Sequence, residues 1–169
     1  MTPRVRIVQL SAETLAALAD GEAASARASS PVPLNDYLTG PDCRAIWTRR
    51  ARQVVETPED LPWITGVLWD EDAQVAVGRA GYHGAPDVDG RVEVGYGIDP
   101  DFRRRGYARA ALVALLDRAR REPGVHTLRA TISPDNEPSL GLIRQFDFVE
   151  NGEQWDEEDG LEIIYEIPV

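Results

Sequence analysis

Cysteine is almost missing from this chain. Cys43 is the only one in 169 residues, so no internal disulfide can form. A lone thiol is either a nucleophile or a buried bystander, and the bystander is the commoner case. Histidine is nearly as scarce. His83 and His126 stand apart in sequence and are read as structural or surface residues. With no cysteine or histidine cluster, no metal site is expected. No apolar run approaches the roughly 18 residues that cross a bilayer. The N-terminus lacks the basic-then-apolar pattern of a secretory signal, so a cytoplasmic location and no membrane partner are expected. The formal net charge of −11 argues against a nucleic-acid binder as a whole. Internal repeats and low-complexity tracts are absent too, and the length suits a single domain over residues 1–169.

What is present is organised around Glu93–Leu116, EVGYGIDPDFRRRGYARAALVALL. It begins as a strand in which Val92, Val94, Tyr96 and Ile98 share one face. Glu93, Gly95 and Gly97 share the other. Two glycines weaken a strand and mark a kink or the close approach of a ligand. The basic loop Arg103–Ala108 follows, and then a periodic helix with Ala108, Ala111, Leu112, Leu115, Leu116 and Ala119 on one side. A strand, a glycine-containing loop and a helix start form a cradle for phosphate, because N–H groups at a helix N-terminus are unpaired and carry partial positive charge. Gly106 permits backbone angles and close approach that a Cβ hinders. Arg103, Arg104, Arg105 and Arg109 add charge. The loop lacks the Lys-Ser/Thr of a nucleotide-hydrolysing loop and the three-glycine spacing of a dinucleotide fold.

The remaining punctuation gives the layout. A strand is expected over Arg4–Leu10 and a helix over Ala12–Ala19, capped by Ser11 and ended by Gly21. Glu22–Pro33 reads as a loop with at most a poor helix. Pro41–Glu56 reads as a helix with Ile46, Trp47, Ala51, Val54 and Val55 buried and Arg49, Arg50 and Arg52 facing solvent. Strands Trp63–Trp69, Gln74–Tyr82 and Arg91–Ile98 form an antiparallel meander. The strand His126–Ser133 returns parallel to Arg91–Ile98 after the crossover helix. A short helix Glu137–Phe146 is capped by Asn136, and a hairpin of Phe148–Trp155 and Leu161–Ile167 closes the chain. The result is an α/β sandwich, β-α-α-βββ-α-β-α-ββ, around a mixed sheet of about seven strands. The stretch Glu153–Glu166 is densely acidic and would attract a cationic partner.

The order of elements and the Arg-x-x-Gly-x-Ala loop resemble the GNAT superfamily of acyl-CoA N-acyltransferases. Glu-Val-Gly-Tyr-Gly-Ile-Asp-Pro followed by Gly-Tyr-Ala resembles the RimJ/RimL-type branch, whose members acetylate ribosomal-protein N-termini. Asn136-x-x-Ser139 ahead of Phe146-Asp147-Phe148 resembles the family's second cofactor motif. The likeness is specific from Trp63 to Val149 and coarse over residues 1–60. It implies splayed central strands with acetyl-CoA in the gap. Backbone near Ile98 would meet the pantetheine arm, and Arg103, Arg104, Arg105, Gly106, Tyr107 and Ala108 would hold the pyrophosphate. Asn136 would touch the cofactor, and Ser139 would sit near the sulfur. Asp147 stands where the family usually has glycine, which puts the local backbone in question.

The chemistry implied is acetyl transfer to a primary amine, a peptide N-terminus or a small molecule, by direct attack in a ternary complex. It needs a neutral amine, a place for the oxyanion and a proton for the leaving thiolate. Glu93 is the candidate base, acting directly or through water, or else a structural carboxylate bonding across the sheet. Ser139 is the candidate donor or else a helix cap. The family's alternative donor, a tyrosine on the last helix, is absent, and Tyr96 and Tyr107 are read as packing and cofactor-contact residues. The alternative function is a non-enzymatic acyl-CoA-binding module on the same fold. The sequence leaves the amine and the oligomeric state open, a homodimer among the options.

Overall fold

Residues 2–169 are described here by a computed structural model. The strands are β1 (Val5–Val8), β2 (Gly66–Asp70), β3 (Val75–Tyr82), β4 (Arg91–Ile98), β5 (Thr127–Ile132), β6 (Val149–Asp156) and β7 (Gly160–Pro168). They form one seven-stranded sheet in the order β1-β2-β3-β4-β5-β7-β6. All neighbours run antiparallel except β4 and β5, as the crossover between them requires.

That parallel pair positions the site. It holds register only at Arg91↔Thr127, Val92↔Leu128 and Glu93↔Arg129. Beyond Glu93, β4 stays with β3 as far as Ile98↔Gly78, while β5 stays with β7 as far as Ile132↔Ile163. The sheet is therefore continuous at its base and split above Glu93, the splay that the family resemblance implies.

The crossover helix α5 (Tyr107–Arg121) covers one face. Its Leu112 and Leu115 are fully buried and Leu116 nearly so, packed with Val92, Val94 and Leu128. Each such side chain is worth about 1.5–3 kcal/mol of transfer free energy. The other face carries α1 (Ala12–Asp20), α2 (Ala23–Ser29), α3 (Asp36–Thr39) and α4 (Pro41–Glu56), around a second core that includes Leu15, Trp47, Val67 and Cys43. Ser11 caps α1 and Gly21, at φ 76°, ends it. The short α6 (Glu137–Ile143) precedes the final hairpin.

Three expectations need correction. The segment Glu22–Pro33 contains a regular helix, α2, and a further short helix, α3, follows it. Trp63–Thr65 lies outside the strand, which starts at Gly66. On α4 the buried stripe is Cys43, Trp47, Arg50 and Val54, whereas Val55 is 81% exposed. Arg50, expected in solvent, is only 4% exposed. Its Nε donates to Thr65 Oγ1 at 3.2 Å, and one terminal nitrogen donates to Gln53 Oε1 at 2.7 Å and to the His83 carbonyl at 3.2 Å. Thr65 and the His83 carbonyl come from outside the helix and, with Gln53 one turn on, satisfy a group that periodicity alone assigns to water.

Candidate active site

The cradle is built by the turn between β4 and α5. Asp99 is buried; it caps the Pro100–Phe102 turn by accepting from Asp101 N at 3.0 Å, and it accepts from Asn35 Nδ2 at 2.8 Å. The chain then passes through Arg104 at φ 59° and Gly106 at φ 85°, both left-handed. No side chain caps the N-terminus of α5, so its first-turn N–H groups are left for a ligand. A cavity of about 690 Å³ opens there, lined by Arg103, Arg104, Gly106, Tyr107, Ala108 and Arg109. The same cavity reaches Ile98, Asn136 and Ser139. The cavity brings together every predicted cofactor residue except Arg105, which does not line it and whose guanidinium stacks 5.4 Å over the ring of Phe102. The Ile98 carbonyl already accepts from Arg103 Nε at 3.1 Å, so a ligand using it competes with that side chain. Asp147 lies in the turn after α6 outside the left-handed region, and its replacement of glycine needs no special backbone.

A second cavity of about 380 Å³ lies on the other side of the split, with His83, Gly95, Thr131, Asp159 and Glu162 in its walls. The two cavities share Tyr96, Asn136 and Ser139. Tyr96 Oη is 3.5 Å from Ser139 Oγ. Burial raises the Tyr96 phenol above its ordinary pKa, partly offset by that contact, so it carries its proton at neutral pH. Asn136 Oδ1 accepts from Ser139 N at 3.2 Å, which fixes the first turn of α6. Tyr96 was read from sequence as packing; the structure makes it a hydroxyl at the junction.

The glycine face of β4 is occupied by the protein itself. A Cβ built on Gly95 would lie 2.9 Å from His83 Nε2. One on Gly97 would lie 3.0 Å from the Arg79 guanidinium and 3.2 Å from Tyr37 Oη. The two glycines, read as a kink or the close approach of a ligand, make room for His83, Arg79 and Tyr37. His83 was also read as standing alone, yet its Nδ1 lies 3.3 Å from Glu93 Oε1. The same carboxylate oxygen accepts from Thr131 Oγ1 at 2.7 Å across the split. Burial pushes the Glu93 carboxyl up, but His83 and the Thr131 hydroxyl outweigh burial and leave it below its ordinary value. Glu93 lines neither cavity, whereas His83 and Thr131, the two side chains bonded to it, line the second. The hairpin register gave a sign of this pair, since the pairing that sets Tyr82 opposite Val94 sets His83 opposite Glu93.

Beside His83, Arg49 lines the same wall as Asp159 and Glu162, and its charge is paired with Glu158 of the β6–β7 turn. Among the described residues no cluster of metal ligands occurs, and no helix is long and apolar enough to cross a membrane.

A family model described as the acetyltransferase (GNAT) domain matches residues 4–149. The uncharacterised N-acetyltransferase YjdG of Bacillus subtilis is 28% identical over 85 residues, 50% of this chain and 51% of that protein. The chain spans about half the length of the curated relatives it matches. Among solved structures, the ribosomal-protein-S5-alanine acetyltransferase of Vibrio fischeri superposes with a TM-score of 0.63 at 19% identity, covering 97% of this chain and 91% of that one. RimL, a ribosomal L7/L12 alpha-N-protein acetyltransferase in complex with coenzyme A, gives 0.65 at 16% identity, covering 100% and 96%. At these identities the likeness establishes the fold.

Proposed function

The chain belongs to the GNAT acetyltransferase family, and from that premise we propose that it transfers an acetyl group from acetyl-CoA to a primary amine by direct attack within a ternary complex. The observation that carries this reading is the meeting of the two cavities at Tyr96 and Ser139. One cavity suits a pyrophosphate and its arm; the other suits an acceptor. In this reading the uncapped first turn of α5 and the side chains of Arg103, Arg104 and Arg109 hold the phosphates. The Tyr96–Ile98 edge of β4 flanks the pantetheine arm. Glu93 is the carboxylate that supports removal of a proton from the incoming ammonium, acting through the groups that line the acceptor cavity. The hydroxyls of Tyr96 and Ser139 return a proton to the departing thiolate. No covalent intermediate is needed, which agrees with Cys43 being buried in the second core. Asp159 and Glu162 at the acceptor cavity favour a cationic amine, either a peptide N-terminus or a small molecule. The reaction belongs in the cytoplasm.

The test is release of free thiol from acetyl-CoA in the presence of an amine and peptide panel, with binding of acetyl-CoA measured in parallel by calorimetry. The chain contains no lysine, so self-acetylation adds little background. Amine-dependent thiol release supports the reading. Tight binding with no turnover on any amine refutes it in favour of an acyl-CoA-binding module, and absence of binding refutes both.

A further inference from the structure

We propose that His83 is the group that accepts the proton from the amine, with Glu93 behind it as a positioning residue. The inference rests on the acyl-transfer reading above and assigns a role that this reading leaves unfilled.

Three observations converge. First, His83 lies at the acceptor cavity and Glu93 does not. Second, the imidazole is oriented. Its Nδ1 is 3.3 Å from Glu93 Oε1, which favours the tautomer with the proton on Nδ1. Nε2, left as the acceptor, lies over Gly95 in the cavity wall, where only the missing Cβ makes space for it. Third, the backbone of His83 is anchored although its side chain is 43% exposed. Its N–H donates to the Glu93 carbonyl at 2.8 Å. Its own carbonyl accepts from Gln53 Nε2 at 2.7 Å and from buried Arg50 at 3.2 Å. A side chain that served only as a surface partner for Glu93 has no need of a buried arginine holding its backbone. A base held by a carboxylate and presenting its second nitrogen to the substrate does.

The proton balance follows. The substrate ammonium gives one proton to His83 Nε2, and the imidazolium formed faces the Glu93 carboxylate. The neutral amine attacks the thioester carbonyl carbon, so a C–N bond forms. The tetrahedral adduct loses its second N–H proton as the C–S bond breaks. The thiolate takes one proton from the Tyr96–Ser139 side, the adduct's second N–H proton replaces it there, and the proton held by His83 goes to solvent.

The groups that set the charge around His83 are Glu93 on β4, Arg49 and Arg50 on α4, Asp60 in the Pro58–Asp60 turn, and Asp156, Asp159 and Glu162 on the final hairpin. The experiment compares wild type, His83→Gln and Glu93→Gln by pH–rate profile, by calorimetry with acetyl-CoA and by nitrogen NMR of the imidazoles. With two histidines in the chain, the assignment is short. His83 is expected as the Nδ1–H tautomer in its neutral form. His83→Gln is expected to lower kcat about 10²–10³-fold and to remove the acid limb of the profile, with the acetyl-CoA Kd unchanged within about twofold. Glu93→Gln is expected to keep the acid limb, because His83 remains the base, and to lower kcat by less than His83→Gln does. An active wild type whose acid limb survives His83→Gln overturns this inference and leaves the acyl-transfer reading standing. So does an Nε2–H tautomer. A wild type that binds acetyl-CoA and acetylates nothing overturns the acyl-transfer reading, and this inference with it.

Discussion

Substituting Gly95 by alanine separates stability from chemistry at this site. In a strand, glycine costs roughly 0.5–1 kcal/mol relative to alanine, and Gly95 is not in the left-handed region. On backbone grounds the change stabilises. The added Cβ, however, would stand 2.9 Å from His83 Nε2, where ordinary contact begins at 3.4 Å. The imidazole has to move by about half an ångström. It sits at the end of an exposed side chain, so displacing it costs only about 0.5–1.5 kcal/mol of rotamer strain. The two terms nearly cancel, and the net change in stability is within about 1 kcal/mol, or about 2–4 °C in Tm for a chain of this size. Catalysis has no such compensation. A displacement of about 1 Å in a positioned group costs up to about 100-fold in rate, so Gly95→Ala is expected to lose about 10–100-fold in kcat. Acetyl-CoA binding should be unchanged, because the contact lies on the acceptor side. Thermal melts, thiol-release kinetics and calorimetry on one preparation check all three. Wild-type kcat with an unshifted melt would refute the placement of His83 over this glycine. A collapse in Tm would refute the claim that only a flexible side chain fills the space.

The other predictions concern what holds the site in place. Arg50→Met should keep α4 packed but remove the donors to Thr65, Gln53 and the His83 carbonyl; a loss of about 1–3 kcal/mol in urea unfolding, together with a fall in kcat, is expected, and an unchanged kcat would show that His83 does not depend on this anchor. Burial pushes the Glu166 carboxyl up, but the bonds from Arg129 and Asn151 and the charges of Arg129 and Arg91 outweigh it and hold it below the ordinary value. Its stabilisation is therefore complete above the unfolded pKa of about 4.3 and is lost as pH falls through the depressed folded value. The urea midpoint of Glu166→Gln should fall well below that of wild type at pH 7 and approach it below pH 4; a gap that stays constant with pH would contradict this.

The parts of the fold that were legible are those decided locally. The α5 stripe, the Ser11 and Gly21 boundaries, the β3–β4 hairpin and the loop around Gly106 follow from periodicity and turn chemistry over a few residues. The parts that were not legible depend on partners far along the chain. Arg50 belongs to the core only because Thr65 and the His83 carbonyl reach it. The α2 helix has too little apolar content to announce itself and is held by burying Ala26. The glycines of β4 were correctly marked as a close approach, but the approaching groups are the chain's own His83, Arg79 and Tyr37. Tyr96 looked like packing because its face of β4 is apolar at Val92 and Val94; the split in the sheet opens above Glu93, and by Tyr96 the same face has turned from core to cavity.

That split also explains why Glu93 matters beyond its charge. It is the last β4 residue with a backbone partner on β5, and its side chain makes the next link, to Thr131 on the far side. A parallel pair that simply ended here would leave the two halves of the sheet to spread or close without a fixed width. The Glu93–Thr131 bond sets that width at the base of the gap, and Glu93 meets His83 with the same oxygen. The carboxylate therefore ties the geometry of the cofactor gap to the position of the acceptor-side imidazole. A substitution at Glu93 that keeps an acceptor oxygen, such as glutamine, tests the charge alone, whereas alanine also removes the link across the gap. The difference between the two variants, rather than either by itself, reports what the carboxylate contributes to the chemistry.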